Sequence, residues 1–369
     1  MYNDTIKTAT CQDVVLSEEE FLQSFGTLLS SEELNDKEVN ERFAPKRKYS
    51  LLLSESFLRL GFDRKSERVF DCGTFLEFRK SLQDLSDVSI PYRLSAANFC
   101  RERLCPMCSW RRSLKIFGQV SKIMDEIENK YSFIFLTLTV PNCSGNDLSA
   151  TIDKLHKGFH KLFNYKRVKT ACFGFFRALE ITRNKNSKSK SFGTYHPHFH
   201  VIIAVHKRYF KGRDYIARDD WLNLWQKAMK DSSITQVDVR RVKPKDAILL
   251  DGSSAKFVKS LGSAVAEAAK YTVKSSDYIY ENDSSLTDEV VSTLSAALFH
   301  RRLCAFGGIF EDVRKQLQLD DCEDGDLIHV DSDELRPDLG YMIRRYGWSA
   351  GVYKLTDYSV EFECSDDEV

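Results

Sequence analysis

No stretch of this chain stays apolar for the ~18 to 20 residues that a membrane-spanning helix requires. The N-terminus, Met1-Tyr2-Asn3-Asp4-Thr5, lacks a basic start followed by an apolar core. No secretory leader is read there, and a cytoplasmic protein without membrane association is expected. No internal repeat is found, which argues against a solenoid or propeller. A glycine-rich phosphate loop is also missing, which argues against nucleotide-binding folds built on one. Net charge is absent as well, since 54 Lys and Arg balance 54 Asp and Glu. That balance hides an asymmetry. From Glu311 to the end there are 17 acidic and 6 basic residues, and the preceding 310 residues carry 48 basic and 37 acidic ones. A basic body with an acidic tail suits a polyanion-binding protein whose tail restrains non-specific binding, and equally an ordinary protein with a solubilising tail.

What is present is enough for two or more domains: 369 residues, 42% of them hydrophobic. Four regions are read: a loosely attached N-terminal helical arm over residues 1–65, a zinc-binding module over 66–117, a catalytic domain over 118–285, and a C-terminal region with the acidic tail over 286–369. In the arm, Ser17-Glu18-Glu19-Glu20-Phe21 and Ser30-Ser31-Glu32-Glu33-Leu34 look like helix starts, each with a serine cap and glutamates in the first turn.

Ten cysteines in a chain expected in the cytoplasm do not suggest a disulfide framework, and their spacing says more than their number. Cys100, Cys105 and Cys108 stand as C-x4-C-x2-C, with Cys72 upstream as the candidate fourth thiolate. Such a set fits structural zinc. The alternatives are a redox motif at Cys105-Pro106-Met107-Cys108 and unliganded buried thiols. Ser109-Trp110-Arg111-Arg112-Ser113-Leu114-Lys115 follows, and its periodicity predicts a helix to about residue 129. Its arginines suit phosphate contact or a solvated helix start.

Phe133 to Val140 reads as a central strand, apolar at almost every position. A helix is expected from about Asp147 to Phe163, with His156 and His160 on a solvated face. Phe173 to Thr182 is a second strand, Asn184 to Lys190 a polar loop, and Tyr195 to Val205 a third strand. Three of eight histidines, His196, His198 and His200, lie at alternate positions on that third strand and so face one way. Side-by-side imidazoles make half of a metal site or a polar face open to water. Glu180 is the only acid in its strand, and in an antiparallel pairing, whose register the sequence does not fix, it can sit beside them to complete a ligand set with open positions. Trp221 to Met229 outlines an amphipathic helix, Ile234 to Val242 another strand, and Phe306-Gly307-Gly308-Ile309-Phe310 a turn closing onto the body.

A helix is predicted from about Gly262 to Lys274. Glu267, Lys270, Tyr271 and Lys274 lie three or four residues apart and share one face of it. A carboxylate, a phenol and two ammoniums there suit phosphate chemistry, and a solvated face with an ordinary tyrosine is the alternative. With a metal at His198, His200 and Glu180, the combination suggests attack by Tyr271 on a phosphodiester.

The ordered set of Cys100 to Lys115, Phe135 to Asn142, Tyr195 to Val201 and Glu267-Ala268-Ala269-Lys270-Tyr271 is similar to that of the rolling-circle replication initiators of small plasmids from Gram-positive bacteria, a branch of the HUH endonucleases. The likeness covers roughly residues 66–310. It implies an α+β fold: a central antiparallel sheet flanked by helices, of ferredoxin or RRM type, with the zinc-binding module inserted or appended. It also implies catalytic Mg²⁺ or Mn²⁺ beside structural Zn²⁺, nicking of plasmid origin DNA that is single-stranded at the nick, and a 5′-phosphotyrosyl link. The host helicase and replication machinery are the implied partners, with a homodimer left open. The metal pair falls on His198 and His200, with His196 beside it. Tyr271 falls at the nucleophile, and Glu267 at the carboxylate that activates water for termination. A transposase or relaxase of the same chemistry, and a non-catalytic zinc-dependent DNA-binding regulator, are the competing readings.

Overall fold

The computed structural model describes residues 34–85, 92–242, 262–269, 272–330 and 340–362. Among them the fold is α+β, with two antiparallel sheets and helices. Helices α1 (Asp36–Arg59) and α2 (Asp63–Asp71) precede strands β1 (Phe75–Ser81) and β2 (Arg93–Ala97). Helix α3 (Pro106–Ile127), strand β3 (Tyr131–Leu138) and helices α4 (Gly145–Asn164) and α5 (Lys166–Ala171) follow. A long hairpin comes next, β4 (Cys172–Arg183) and β5 (Tyr195–His206). It leads through α6 (Arg218–Met229), β6 (Val237–Arg241) and α7 (Gly262–Ala268) to α8 (Ser284–Leu298). Strand β7 (Cys304–Gly308), helix α9 (Ile309–Gln316) and the hairpin β8 (Gly340–Ser349) and β9 (Val352–Phe362) complete the order.

The larger sheet runs β6-β3-β5-β4-β7, so the histidine strand β5 is its centre. Alternation assigns its faces. Ile134, Leu136, Phe199, Val201 and Ile203 belong to one apolar cluster with Leu148, Ile152 and Leu155 of α4. Phe135, Phe176, Ile202 and Ala204 belong to another with Val120 and Ile123 of α3 and Val265 and Ala268 of α7. Burial on both faces explains why β3 and the second half of β5 read as nearly continuous apolar runs. Each buried aliphatic or aromatic side chain there contributes about 1.5–3 kcal/mol. A one-residue slip of β5 would exchange its two faces, so this packing fixes the register on which the polar residues depend.

The smaller sheet, β2-β1-β8-β9, was not anticipated, because residues 286–369 suggested only a C-terminal region with an acidic tail. The β8–β9 hairpin turns at Ala350 and Gly351, both with positive φ (50° and 83°), the backbone of a two-residue type I′ turn. Its strand β8 then pairs with β1 from Phe75↔Gly347 to Ser81↔Tyr341.

Helix α1 lies within the stretch expected to be a loosely attached arm, and it is instead embedded. Its cap is Asn35, whose side chain accepts from Glu38 N at 3.0 Å. Phe43 sits edge-on to Phe78, Trp110 and Tyr353, so α1 joins both ends of the described chain. The serine-capped starts at Ser17 and Ser30 lie outside the described residues. Among the described residues no helix is long and apolar enough to cross a membrane.

Candidate functional site

Two groups of metal-competent side chains stand out among the described residues. The first is made by the β4–β5 hairpin. Its register sets Glu180 directly opposite His198, Ala178 opposite His200 and Thr182 opposite His196. Glu180 and the histidines therefore share the α3/α7 face of the sheet. Glu180 Oε2 lies 2.7 Å from His200 Nε2 and 3.3 Å from His198 Nε2, and the two Nε2 atoms are 3.2 Å apart. All three residues are buried. His198 Nδ1 donates to the carbonyl of His196 at 3.1 Å, which turns its Nε2 toward the cluster. Thr137 Oγ1, opposite His200 on β3, lies 3.3 Å from His200 Nδ1. Burial works against the Glu180 carboxylate, but hydrogen bonds from His198 and His200 outweigh it and hold the carboxyl well below its usual range.

These are the marks of a cation site: a retained buried anion, two inward-turned imidazoles and convergent donor atoms. A cation at their meeting point would be held by the Glu180 carboxylate and the two Nε2 atoms. His196 faces the same way and stacks on His198 at 5.1 Å between ring centroids, but it is not a member of the converging set.

The other expected residues follow at α7. Glu267 Oε1 is 3.8 Å from His200 Nε2. Lys270 and Tyr271 lie outside the described residues. At Thr272 the carbonyl accepts from Ile181 N, beside Glu180, at 2.7 Å. Lys274 caps the 3₁₀ turn Ser275–Asp277. The helix expected to run to Lys274 is described only as Gly262–Ala268. Sequence reading missed Asp277, a buried carboxyl raised by burial against the pull of Lys185, whose ammonium is 3.3 Å away, and of Lys274. Nothing in the local pattern singles it out, because its place depends on the β4–β5 loop that supplies Lys185.

The second group is Cys72, Cys100, Cys105 and Cys108, all buried. Their sulfurs stand 3.5 Å (Cys72 to Cys105) and 3.6 Å (Cys108 to both Cys72 and Cys100) apart. Thiolates ~2.3 Å from a tetrahedral ion would be spaced about 3.8 Å apart, so the set fits such an ion. Backbone N–H groups point at the sulfurs: Arg101 N to Cys108 at 3.2 Å and Cys100 N to Cys72 at 3.4 Å. Arg101 reaches this geometry with φ 62°. Pro106 at the first position of α3 makes Cys105 the N-cap and puts Cys108 in the first turn, where the helix dipole favours thiolate.

Two expectations are corrected here. The arginines after the knuckle are not open for phosphate. Arg111 donates to the carbonyls of Leu327 (2.8 Å) and Ile328 (2.7 Å), Arg112 to that of Glu323 (2.9 Å), and Lys115 meets Asp320 at 2.6 Å. His156, expected on a solvated face with His160, turns inward. Its Nδ1 accepts from Arg177 at 2.8 Å and its ring stands edge-on to Phe199, whereas His160 is exposed. Burial, then the charges of Arg177 and Arg301, push His156 down to about 4, with Asp153 opposing them.

A sign follows. Protonating His156 disfavours the folded state, so its contribution is complete above the unfolded pKa of ~6.5 and is lost as pH falls from there towards 4. His156→Gln keeps an acceptor for Arg177 without the titration. Urea unfolding between pH 7.5 and 4.5 should show a shallower fall in stability for the variant. The difference in slope is at most about 1.4 kcal/mol per pH unit, trimmed by solvent screening. Parallel curves would remove His156 from this role.

Comparison with known proteins agrees along most of the chain. A family model described as "Replication protein" matches residues 91–354. A "Protein rep" from a Bacillus species is 40% identical over 308 residues, spanning 81% of this chain and 95% of the relative. A "Protein rep" from Bacillus amyloliquefaciens is 41% identical over 281 residues, 74% of this chain and 79% of the relative. One from Streptococcus pneumoniae serotype 2 is 34% identical over 334 residues, 85% and 96% of the two chains. No solved structure matches.

Proposed function

This chain belongs to the Rep family of replication proteins, and on that footing we propose that it initiates plasmid replication as a metal-dependent nicking and joining enzyme acting on origin DNA through Tyr271. The observation that carries the reading is the converging set of Glu180, His198 and His200, with Glu267 at its edge. The described residues on both sides of Tyr271 support it. Glu267 comes within 3.8 Å of His200, and Thr272 is hydrogen-bonded to Ile181. Only Lys270 and Tyr271 separate Ala269 from Thr272.

A divalent ion, Mg²⁺ or Mn²⁺, held by Glu180, His198 and His200 would polarise the scissile phosphate. Tyr271 attacks phosphorus through its phenolic oxygen. An O–P bond forms to the protein and the bond to the 3′ oxygen breaks, leaving a 5′-phosphotyrosyl link and a free 3′-OH to prime synthesis. Lys270 and Lys274 offset phosphate charge. Glu267 takes a proton from water when the link is hydrolysed, which ends the cycle. His196, stacked on His198, steadies that ring. The buried four-cysteine group holds zinc and shapes the region before α3. The name borne by the relatives favours replication over transposition or conjugative transfer, and a non-catalytic regulator leaves the Glu-His-His set without a purpose. Host helicase, replication enzymes and a second copy of the chain are the partners to look for.

The test is covalent capture on single-stranded origin DNA with Mn²⁺. The natural protein should give an adduct stable to denaturant, Tyr271→Phe none, and Glu267→Ala an adduct that is released roughly 10²-fold or more slowly. An adduct from Tyr271→Phe would overturn the nucleophile, and normal release by Glu267→Ala would overturn the base.

A further inference from the structure

The acidic segment after α9 is a strap rather than a free tail. On one side Asp320 meets Lys115 at 2.6 Å, Gln119 donates to the Asp320 carbonyl at 2.8 Å, and Arg111 holds the carbonyls of Leu327 and Ile328. On the other side Asp321 pairs with Arg302 at 2.7 Å, and the buried Glu323 carboxylate accepts from the amides of Leu303 (2.9 Å) and Cys304 (3.0 Å). Residues 320–328 thus bridge α3 to the start of β7.

Between these anchors the sulfurs of Cys304 and Cys322 stand 2.7 Å apart, and both residues are buried. That is well inside ordinary non-bonded contact, about 3.5–4.0 Å even between carbon atoms. The four cysteines of the other cluster keep 3.5–3.6 Å, the spacing that suits a shared ion. Cys304 and Cys322 belong to neither metal-competent group among the described residues. Glu323 Oε1 lies 3.5 Å from Cys304 Sγ, but the three do not form a converging metal-competent group among the described residues, and the two sulfurs have the approach that one covalent bond requires. Cys304 also lines a small cavity with Arg112, Thr272, Val273 and Glu323.

We propose that Cys304 and Cys322 are a redox site, a reversible disulfide that locks the acidic strap across α3 and β7, formed by exchange with a low-molecular-weight disulfide. A Cys304–Cys322 bond forms and the reagent's sulfur–sulfur bond breaks. The protein thiols give up two electrons and two protons, and both pass to the two reagent thiols released. The site does not depend on the proposed nicking activity.

The test uses the full chain with its zinc bound, treated with glutathione disulfide, alkylated and examined by intact mass and peptide mapping. The expected result is the loss of two alkylatable thiols, a linked peptide joining Cys304 to Cys322, and cleavage within residues 317–330 by added protease slowed by about tenfold. Dithiothreitol should reverse all three. Cys322→Ser and, as a second variant, Cys304→Ser should each abolish both the linked peptide and the protection. Linkage through other cysteines, a persistent mixed disulfide on natural Cys304, or no linked peptide even in mild denaturant would overturn the proposal. So would equal protection of Cys322→Ser.

Discussion

Glu180→Gln is expected to lower divalent-ion-dependent cleavage of single-stranded origin DNA by ~10²-fold or more while leaving the fold in place. The magnitude starts from what removing even an outer partner of a bound metal costs, about 10–100-fold. Glu180 does more, because it supplies the only carboxylate of the converging group, with Oε2 within 2.7 Å of one imidazole nitrogen and 3.3 Å of the other. Glutamine has the same shape and can still hydrogen-bond, so β4–β5 pairing should survive. What is lost is the negative charge, and the hard Mg²⁺ ion depends on anionic oxygen more than on imidazole. The variant should therefore lose Mg²⁺-supported cleavage more completely than Mn²⁺-supported cleavage, since manganese accepts nitrogen ligands more readily. Cleavage rates against ion concentration, with far-ultraviolet circular dichroism and zinc content as controls for folding, decide it. Unchanged ion dependence in Glu180→Gln would remove this carboxylate from the site.

How such a residue became visible from sequence has a physical explanation. Side-chain alternation along β5 and the polar loop between two β-rich runs are local, so the shared face of His196, His198 and His200, and Glu180 as a candidate neighbour, were legible. The pairing Glu180↔His198 was not, because register is settled by packing against α3, α4 and α7. The same limit hid more distant partnerships. Strand β1 pairs with β8 across more than 250 residues, and its sequence does not say so. His156 has helical spacing to His160 and lysine neighbours, and only the tertiary position of Arg177 shows that it turns inward. Arg111 and Arg112 resembled phosphate contacts until the carbonyls of the strap were seen to occupy them. Spacing identified C-x4-C-x2-C at once because three of the four donors are local. Cys72 comes from the end of α2 and required the fold to bring it in.

Removal of the zinc ion proposed for that four-cysteine group should be the most destructive single change to stability. The four sulfurs converge at the junction of α2, the 98–105 loop and the N-terminus of α3, beneath α1, where Ser50 Oγ lies 3.4 Å from Cys105 Sγ. The smaller sheet closes over the same point. Tyr353 donates its hydroxyl to the Gly73 carbonyl at 2.5 Å, and Trp348 N donates to the Thr74 carbonyl at 2.9 Å. Gly73 has φ 72° and an imagined Cβ would come 3.2 Å from Met107, so this turn has little room to relax. Structural zinc contributes about 10–16 kcal/mol of apparent binding energy in small zinc-finger peptides, where the ion is most of the core. Here Phe43, Trp110 and Tyr346 supply an apolar core of their own, so the loss should be smaller yet still several kcal/mol. Cys108→Ser, which removes a sulfur 3.6 Å from two others, is expected to lower bound zinc from about one equivalent to near none. It should also lower the melting temperature by roughly 10 °C or more. Hydrogen exchange should quicken in β1, β8 and β9, which close on Gly73 and Thr74, before it does in β3 and β5, each of which is paired on both edges within the larger sheet. Metal analysis with exchange mass spectrometry tests both halves. A zinc-free variant with unchanged melting, or one that loosens the larger sheet first, would show that the cysteines are not what holds the smaller sheet to the body.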